Sequence, residues 1–186
     1  MKTHNNKLLK ITTTAVFIAL ICVLTLAVRI PTPTKGYLNL GDCAVLLGGL
    51  LLGPVYGTIA GALGSALADF IAGYPVYVPG TFIIKGIMAL TVALVPYVFS
   101  RTDKKYSRIS FIIGSVIAEA LMVSGYYLYE AVVIGEGFIA AFAGVSGNIV
   151  QGTAGVAGAY LLAEIFARTG VFKLYSVRGF AKWRMK

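Results

Sequence analysis

The sequence predicts an all-α integral membrane protein: a bundle of six transmembrane helices with the N and C termini in the cytoplasm. Composition is the first reason. Hydrophobic residues make up 58% of the chain and charged residues 12%, where a soluble domain carries about 25% charged residues; mean hydropathy is +0.85. Length is the second. A membrane-crossing helix needs about 20 apolar residues, so six spans with short loops consume most of the 186 residues. The third is charge placement. Lys2, Lys7 and Lys10 precede the first span, Arg101, Lys104, Lys105 and Arg108 crowd one loop, and Arg168, Lys173, Arg178, Lys182, Arg184 and Lys186 end the chain. With six crossings these clusters share one face, the positive-inside pattern, and only Arg29 and Lys35 lie opposite.

The first span covers Leu8–Val28. It is long enough to cross and lacks a small-residue cleavage site before Arg29, so it reads as a retained helix and not a removed signal. The loop Arg29–Leu40 is stiffened by Pro31 and Pro33 and turned by Gly36. A short second span, Gly41–Leu52, stops at Gly53-Pro54, a helix-ending pair. The third, Val55–Ala72, carries small residues at four-residue spacing, which lets helix backbones approach. Gly73-Tyr74-Pro75 ends it, and Pro79-Gly80 leads into the fourth span, Thr81–Phe99. Ile109–Val133 and Ala140–Ala167 complete the set, joined at Gly135-Glu136-Gly137. Residues 1–170 thus form a single transmembrane domain and 171–186 a basic cytoplasmic tail. All spans are expected to be helical, since backbone groups in lipid must be satisfied within the segment; a barrel would alternate over segments of about ten residues.

Polar residues inside the spans carry the functional information, because each is costly in lipid. Asp42 opens the second span, either as a favourable first-turn acid or as part of a site, and Asp69 ends the third. Glu119, Met122, Tyr126 and Glu130 share one helix face, with Glu119 near mid-span. Asn148 and Gln151 stand amid glycines on the last span, as site residues or as interhelical hydrogen-bonding groups. Lys85, a turn below Thr81, either snorkels outward or balances Asp69 or Glu119. Glu164 is expected to pair with Arg168, four residues on. Carboxylates and amides beside tyrosines suit a small polar ring compound. Enzyme readings fare poorly: the one histidine, His4, precedes the first span, and there is no phosphate-binding glycine loop. Cys22 and Cys43 read as buried apolar side chains, so neither a metal nor a cofactor is expected. Charge placement favours contact with lipid over nucleic acid.

Three stretches carry a family resemblance: AVFIA at Ala15–Ala19, GYLNLGD at Gly36–Asp42, and LLGPVYGTIAGALGSALADFIAGYPVYVPGTFIIKG at Leu51–Gly86. Over about Lys7–Arg168 the chain resembles the substrate-binding S component of energy-coupling factor (ECF) vitamin transporters, and its glycine-rich third span resembles the pyridoxine or hydroxymethylpyrimidine branch. The resemblance implies a bacterial cytoplasmic-membrane protein that captures a vitamin from outside. The loops Arg29–Leu40 and Gly73–Gly80 would close over it. It further implies a membrane coupling subunit docked on Ala15 and Ala19, two cytoplasmic ATPases that drive the cycle, and an S component that topples in the bilayer and hydrolyses nothing itself. Residue polarity and these loops nominate Asn39, Asp42, Asp69, Tyr74, Lys85, Glu119, Tyr126, Asn148 and Gln151 as substrate contacts. Pyridoxine and hydroxymethylpyrimidine lead as substrates, with pantothenate, riboflavin and folate open. The alternative is a stand-alone secondary transporter or channel with Asp69, Lys85 and Glu119 as an ion path.

Overall fold

The computed structural model describes residues 2–32, 36–100 and 108–169. The basic loop at 101–107, Lys35 and the tail from 170 onward lie outside the described residues. Among the described residues, five helices are long and apolar enough to cross a membrane: α1 (Lys2–Ala27), α2 (Gly41–Ala72), α3 (Val78–Ser100), α4 (Arg108–Leu128, continued by a π-helical turn, Tyr129–Val133) and α5 (Phe138–Thr169). Their outward faces are apolar, with Ile139 94% exposed and Val55, Phe70, Phe142 and Val150 more than half exposed. Water would not tolerate so continuous an apolar surface; lipid does.

The expected second and third spans run together as α2. Gly53, within it, is non-helical at φ 78° and ψ −173°, a backbone state glycine reaches without strain, and Pro54 then lacks an N–H to continue the ladder. The chain folds back there. A β-carbon at Gly57 would lie 2.8 Å from Gly49 Cα, and one at Gly61 would lie 3.3 Å from Val45, so positions equidistant from Gly53 meet side by side. The small residues of the second arm also seat its neighbours. Gly64 lies against the backbone of Ile18 in α1, and Gly61 against that of Lys85 in α3.

The loop between α1 and α2 holds an unexpected element, a two-residue antiparallel ribbon of β1 (Ile30–Pro31) and β2 (Tyr37–Leu38). It lies at the end of the bundle where α2 starts. The interior is graded along the bundle. Toward Gly53 it is aliphatic and aromatic, built from Val45, Leu46, Leu50, Met88, Val92 and Phe111. Toward the ribbon it holds buried Asp42, Asp69, Lys85, Glu130 and Gln151. On α1 the buried Thr13 and Thr14 donate their hydroxyls to the carbonyls of Leu9 and Lys10 at 2.7 Å, satisfying them within the helix.

Candidate functional site

The polar end is organised around the first turn of α2. Asp42 has no exposed surface and pairs with Lys85 of α3, itself 2% exposed. Lys85 therefore does not snorkel, and its ion-pair partner is Asp42, not Asp69 or Glu119. The other carboxyl oxygen of Asp42 accepts from Gln151 Nε2 at 2.6 Å, and Gln151 Oε1 accepts from the Asn39 backbone N–H at 2.7 Å. Asn39 Oδ1 in turn accepts from the Gly41 N–H at 2.9 Å. One amide of α5 thus ties the ribbon's exit to the ion pair beneath it. Asp42 occupies the favourable first turn of its helix and is also the anchor of this network.

Above the network lies a small cavity whose walls come from the ribbon, α2, α3, α4 and α5. Asn39, Asp69, Thr81, Tyr126, Asn148 and Gln151 line it, together with Tyr37, Tyr77 and Glu130. Its empty space is about 390 Å³ counting the mouth, but only about 30 Å³ admits the centre of a water molecule. The ribbon is closed down upon it. Tyr37 donates its hydroxyl to Asp69 Oδ1 at 2.6 Å, and burial first, then the Asp69 carboxylate, pushes that hydroxyl's pKa well up. Tyr77 donates to Glu130 Oε1 at 3.2 Å, and Thr81 and Tyr126 share a hydrogen bond of 2.9 Å. The Lys85 ammonium lies 5.4 Å from the centroid of the Tyr126 ring, a cation–π distance.

Rings cover this end. Tyr37 and Tyr74 have centroids 4.9 Å apart, Tyr74 and Tyr77 6.4 Å, and Tyr77 and Tyr129 6.2 Å. The Tyr129 ring lies flat on Gly80, where a β-carbon would come within 2.7 Å of it, and its hydroxyl donates to the Val76 carbonyl at 2.6 Å.

The structure brings five nominated residues to the cavity wall: Asn39, Asp69, Tyr126, Asn148 and Gln151. Asp42 and Lys85 form the layer beneath, and Tyr74 stacks on the ribbon from outside. Glu119 is displaced from the group. Its carboxyl is wedged against α5, where β-carbons at Gly152 and Gly155 would lie 3.1 Å and 2.7 Å from its oxygens. Both oxygens lack a hydrogen-bond partner among the described residues. Glu119 also borders a wider, apolar hollow between α4 and α5, lined by Ile112, Val116, Ile149 and Val156 and open along the lipid-facing surface. Glu164 departs from expectation too: Arg108 of α4 takes its carboxylate at 2.6 Å in place of Arg168. Tyr37 and Tyr77 were not nominated, because nothing in sequence polarity says which loop tyrosines turn inward. Ala15 and Ala19 both lie exposed on the outer face of α1, opposite the buried Phe17 and Ile21.

Comparison with known proteins agrees with this architecture. Residues 5–168 match the model of the family described as ECF-type riboflavin transporter, S component. An uncharacterised protein from the gap 3′ region of Pyrococcus woesei is 40% identical over 137 residues, 73% of this chain and 86% of its own length. The thiamine precursor transporter HmpT of Lactococcus lactis subsp. cremoris (strain MG1363) is 29% identical over 174 residues, covering 92% of this chain and 96% of its own. A solved structure described as the S component of a bacterial ECF transporter superposes with a TM-score of 0.70 at 23% identity, covering 88% of this chain and 98% of that one. The protein is a multi-pass cell-membrane protein, and it belongs to the family of ECF-type riboflavin transporter S components.

Proposed function

We propose that this chain is the substrate-binding S component of an ATP-driven ECF importer, capturing a small ring-containing vitamin or precursor from outside. The carrying observation is the ribbon-covered cavity, walled by carboxylates, amides and tyrosines, at one end of a lipid-facing bundle. Buried polar groups converging on a hollow are what a ligand site requires. The 29% identity to a thiamine precursor transporter supports a small precursor ring, for which hydroxymethylpyrimidine and pyridoxine, the branch that the third span resembles, are the leading candidates; the family's description supports riboflavin as the second reading.

In this reading the two arms of α2 are separate crossings, six in all. Charge supports that count. Were α2 a single crossing, the lysines before α1 would face the opposite side from the loop after α3, against the positive-inside pattern. With the chain reversing at Gly53, the basic N-terminus, the 101–107 loop and the basic tail share the cytoplasmic face, and the ribbon faces outward. The exposed Ala15 and Ala19 then offer α1 as a smooth docking surface to the membrane coupling subunit, which carries the two ATPases' work. An ion path fits less well: Lys85 is engaged by Asp42, and the core between that pair and Gly53 is apolar.

Mass spectrometry of small molecules retained through purification, followed by proteoliposome uptake, tests the proposal. The expected result is one retained vitamin-sized ring, bound by the chain alone and transported only with coupling and ATPase subunits. Proton-driven uptake by this chain alone would overturn it.

A further inference from the structure

The hollow between α4 and α5 is wider than the polar cavity. About 510 Å³ of it admits the centre of a water molecule, against about 30 Å³ of the cavity under the ribbon. Among the described residues its walls are stretches 112–123 of α4 and 149–160 of α5. Helical spacing gives each wall one apolar stripe, and Ala120, Gly152 and Ala157 leave room between the two. Ile112, Val116 and Ile149 on its rim are each more than a third exposed, so the hollow opens on the surface that faces lipid.

One acid interrupts these walls. Glu119 is 6% exposed, and neither carboxyl oxygen has a donor among the described residues. The hydroxyl of Thr153, on the facing wall, is used within its own helix, donating to the Ile149 carbonyl at 2.8 Å. The carboxyl rests on Gly152, itself part of the wall, where a β-carbon would lie 3.1 Å from Oε2. Rotation about the side-chain bonds of Glu119 therefore carries it into the hollow. The acid does not line the polar cavity. A β-carbon at Gly155 would stand between it and Asp42, 2.7 Å from Glu119 Oε1 and 2.9 Å from Asp42 Cβ.

Depth and width decide what can enter. From Arg108 to Glu119 the helix rises about 16 Å, half of a hydrocarbon core about 30 Å thick. A phospholipid headgroup, held at the interface, does not reach the acid. The empty space is about 980 Å³ counting the mouth, and spread along about 16 Å of helix it has a mean cross-section of about 60 Å². A helix about 10 Å across needs about 80 Å², so the hollow is too narrow to seat one. We propose that it is a second binding site, taking from the bilayer a slender lipophile that ends in an N–H or O–H donor, with the donor seated on Glu119. Burying a carboxyl without a donor costs free energy, and such a molecule removes that cost while its body covers the apolar walls. A lipophile lacking the donor leaves the carboxyl unserved. The site stands apart from whatever ring the polar cavity takes.

The test uses the full-length chain in lipid nanodiscs and three photoreactive probes of matched length. These are dodecylamine, dodecanol and undecyl methyl ether, each carrying a diazirine at mid-chain, with the labelled peptides identified by mass spectrometry. The amine, the alcohol or both should label stretches 112–123 and 149–160 saturably and at least about tenfold above the other spans, the scale of one hydrogen bond to a buried carboxyl. The ether should label all lipid-facing spans alike. Glu119→Leu should remove the preference, and Glu119→Gln, whose carbonyl still accepts, should keep it. The comparison of probes needs only the wild-type chain, so it stands even where a variant fails to fold. Equal preference by the ether, uniform labelling by all three probes, or a folded Glu119→Leu variant that keeps the preference would overturn the inference. Protection of the same stretches only in the assembled transporter, or only in discs holding two copies, with no probe preference in the single chain, would give this face to a partner helix or a second copy and overturn it likewise.

Discussion

Replacing Lys85 with Met should be among the most damaging single changes in this protein. The side chains of Lys85 and Asp42 are 3% and 1% exposed, so the substitution leaves a carboxylate in the interior with only the Gln151 amide to serve it. Breaking a buried pair from one side costs about 3–5 kcal/mol. The pair Arg108–Glu164 provides an internal scale. Its arginine is 41% exposed, and Arg108→Ala should cost no more than about 1 kcal/mol. The double variant Asp42→Asn/Lys85→Met should recover most of the loss. Both charges are then gone, and the asparagine carbonyl still accepts from Gln151. Reversible unfolding in mixed detergent micelles, followed by circular dichroism, measures wild type, Asp42→Asn, Lys85→Met and the double variant as a double-mutant cycle, with Arg108→Ala beside them. A Lys85→Met variant within about 1 kcal/mol of wild type, or a double variant as unstable as the single, would refute the reasoning.

Three further outcomes follow from the same geometry. Gly155→Leu forces side-chain atoms into space held by Glu119 and Asp42, and thermal unfolding should show a loss of about 1–3 kcal/mol, whereas Gly86→Ala, whose β-carbon meets nothing closer than 3.4 Å, should be near neutral. Tyr37→Phe removes the ribbon's hydrogen bond to Asp69, and stopped-flow measurements should show ligand dissociating about tenfold faster, equivalent to about 1.4 kcal/mol. Because burial and Asp69 raise the Tyr37 hydroxyl above its ordinary value of 10.0, the folded state keeps this proton longer than the unfolded chain does. Its contribution is full below about pH 10 and falls only as pH rises beyond that, so ribbon closure should show no dependence on Tyr37 through neutral pH. Ala15→Trp and Ala19→Trp, on the exposed face of α1, should abolish co-purification with the coupling subunit and uptake while ligand affinity stays at the wild-type level; unchanged uptake would remove α1 as the docking surface.

How much of this was legible in the sequence depended on whether the signal was local. Hydropathy and the Gly53-Pro54 break need only neighbouring residues, and the element boundaries lie close to those expected. The merger of two spans into α2 is a matter of what happens at one residue, Gly53, whose ladder is interrupted and resumed without a loop. Side-chain direction was legible where a helix period fixes it, as for Gln151 and Tyr126. It was not legible for Tyr37, whose inward turn depends on the register of a ribbon pairing Pro31 with Tyr37. The partners of Lys85 and Glu164 escape the sequence for a common reason. Sequence distance and expected depth leave Lys85 between snorkelling and a balance with Asp69 or Glu119 and favour Arg168 for Glu164, while the structure pairs each across helices, with Asp42 and Arg108.

The gradient in the interior bears on how a captured molecule could leave. Below the Asp42–Lys85 layer the bundle is packed with Val45, Leu46, Met88, Val92 and Phe111, all buried. Opening a polar path through that packing would expose apolar side chains to water and separate the arms of α2 where Gly49 and Gly57 are in backbone contact. The ribbon end, by contrast, is held by hydrogen bonds from the Tyr37 and Tyr77 hydroxyls and the Asn39 N–H and by rings in loose edge contact. The weak boundary of the cavity is thus the ribbon end, which the six-crossing topology proposed above turns outward. If the chain is the importer subunit proposed above, a bundle built this way releases on the side where it binds unless it moves as a whole, which supports the toppling in the bilayer that the family resemblance implies. That step requires a partner with differential affinity for the two orientations, and the lipid-like, small-residue face of α1 is where such a partner could act without disturbing the site.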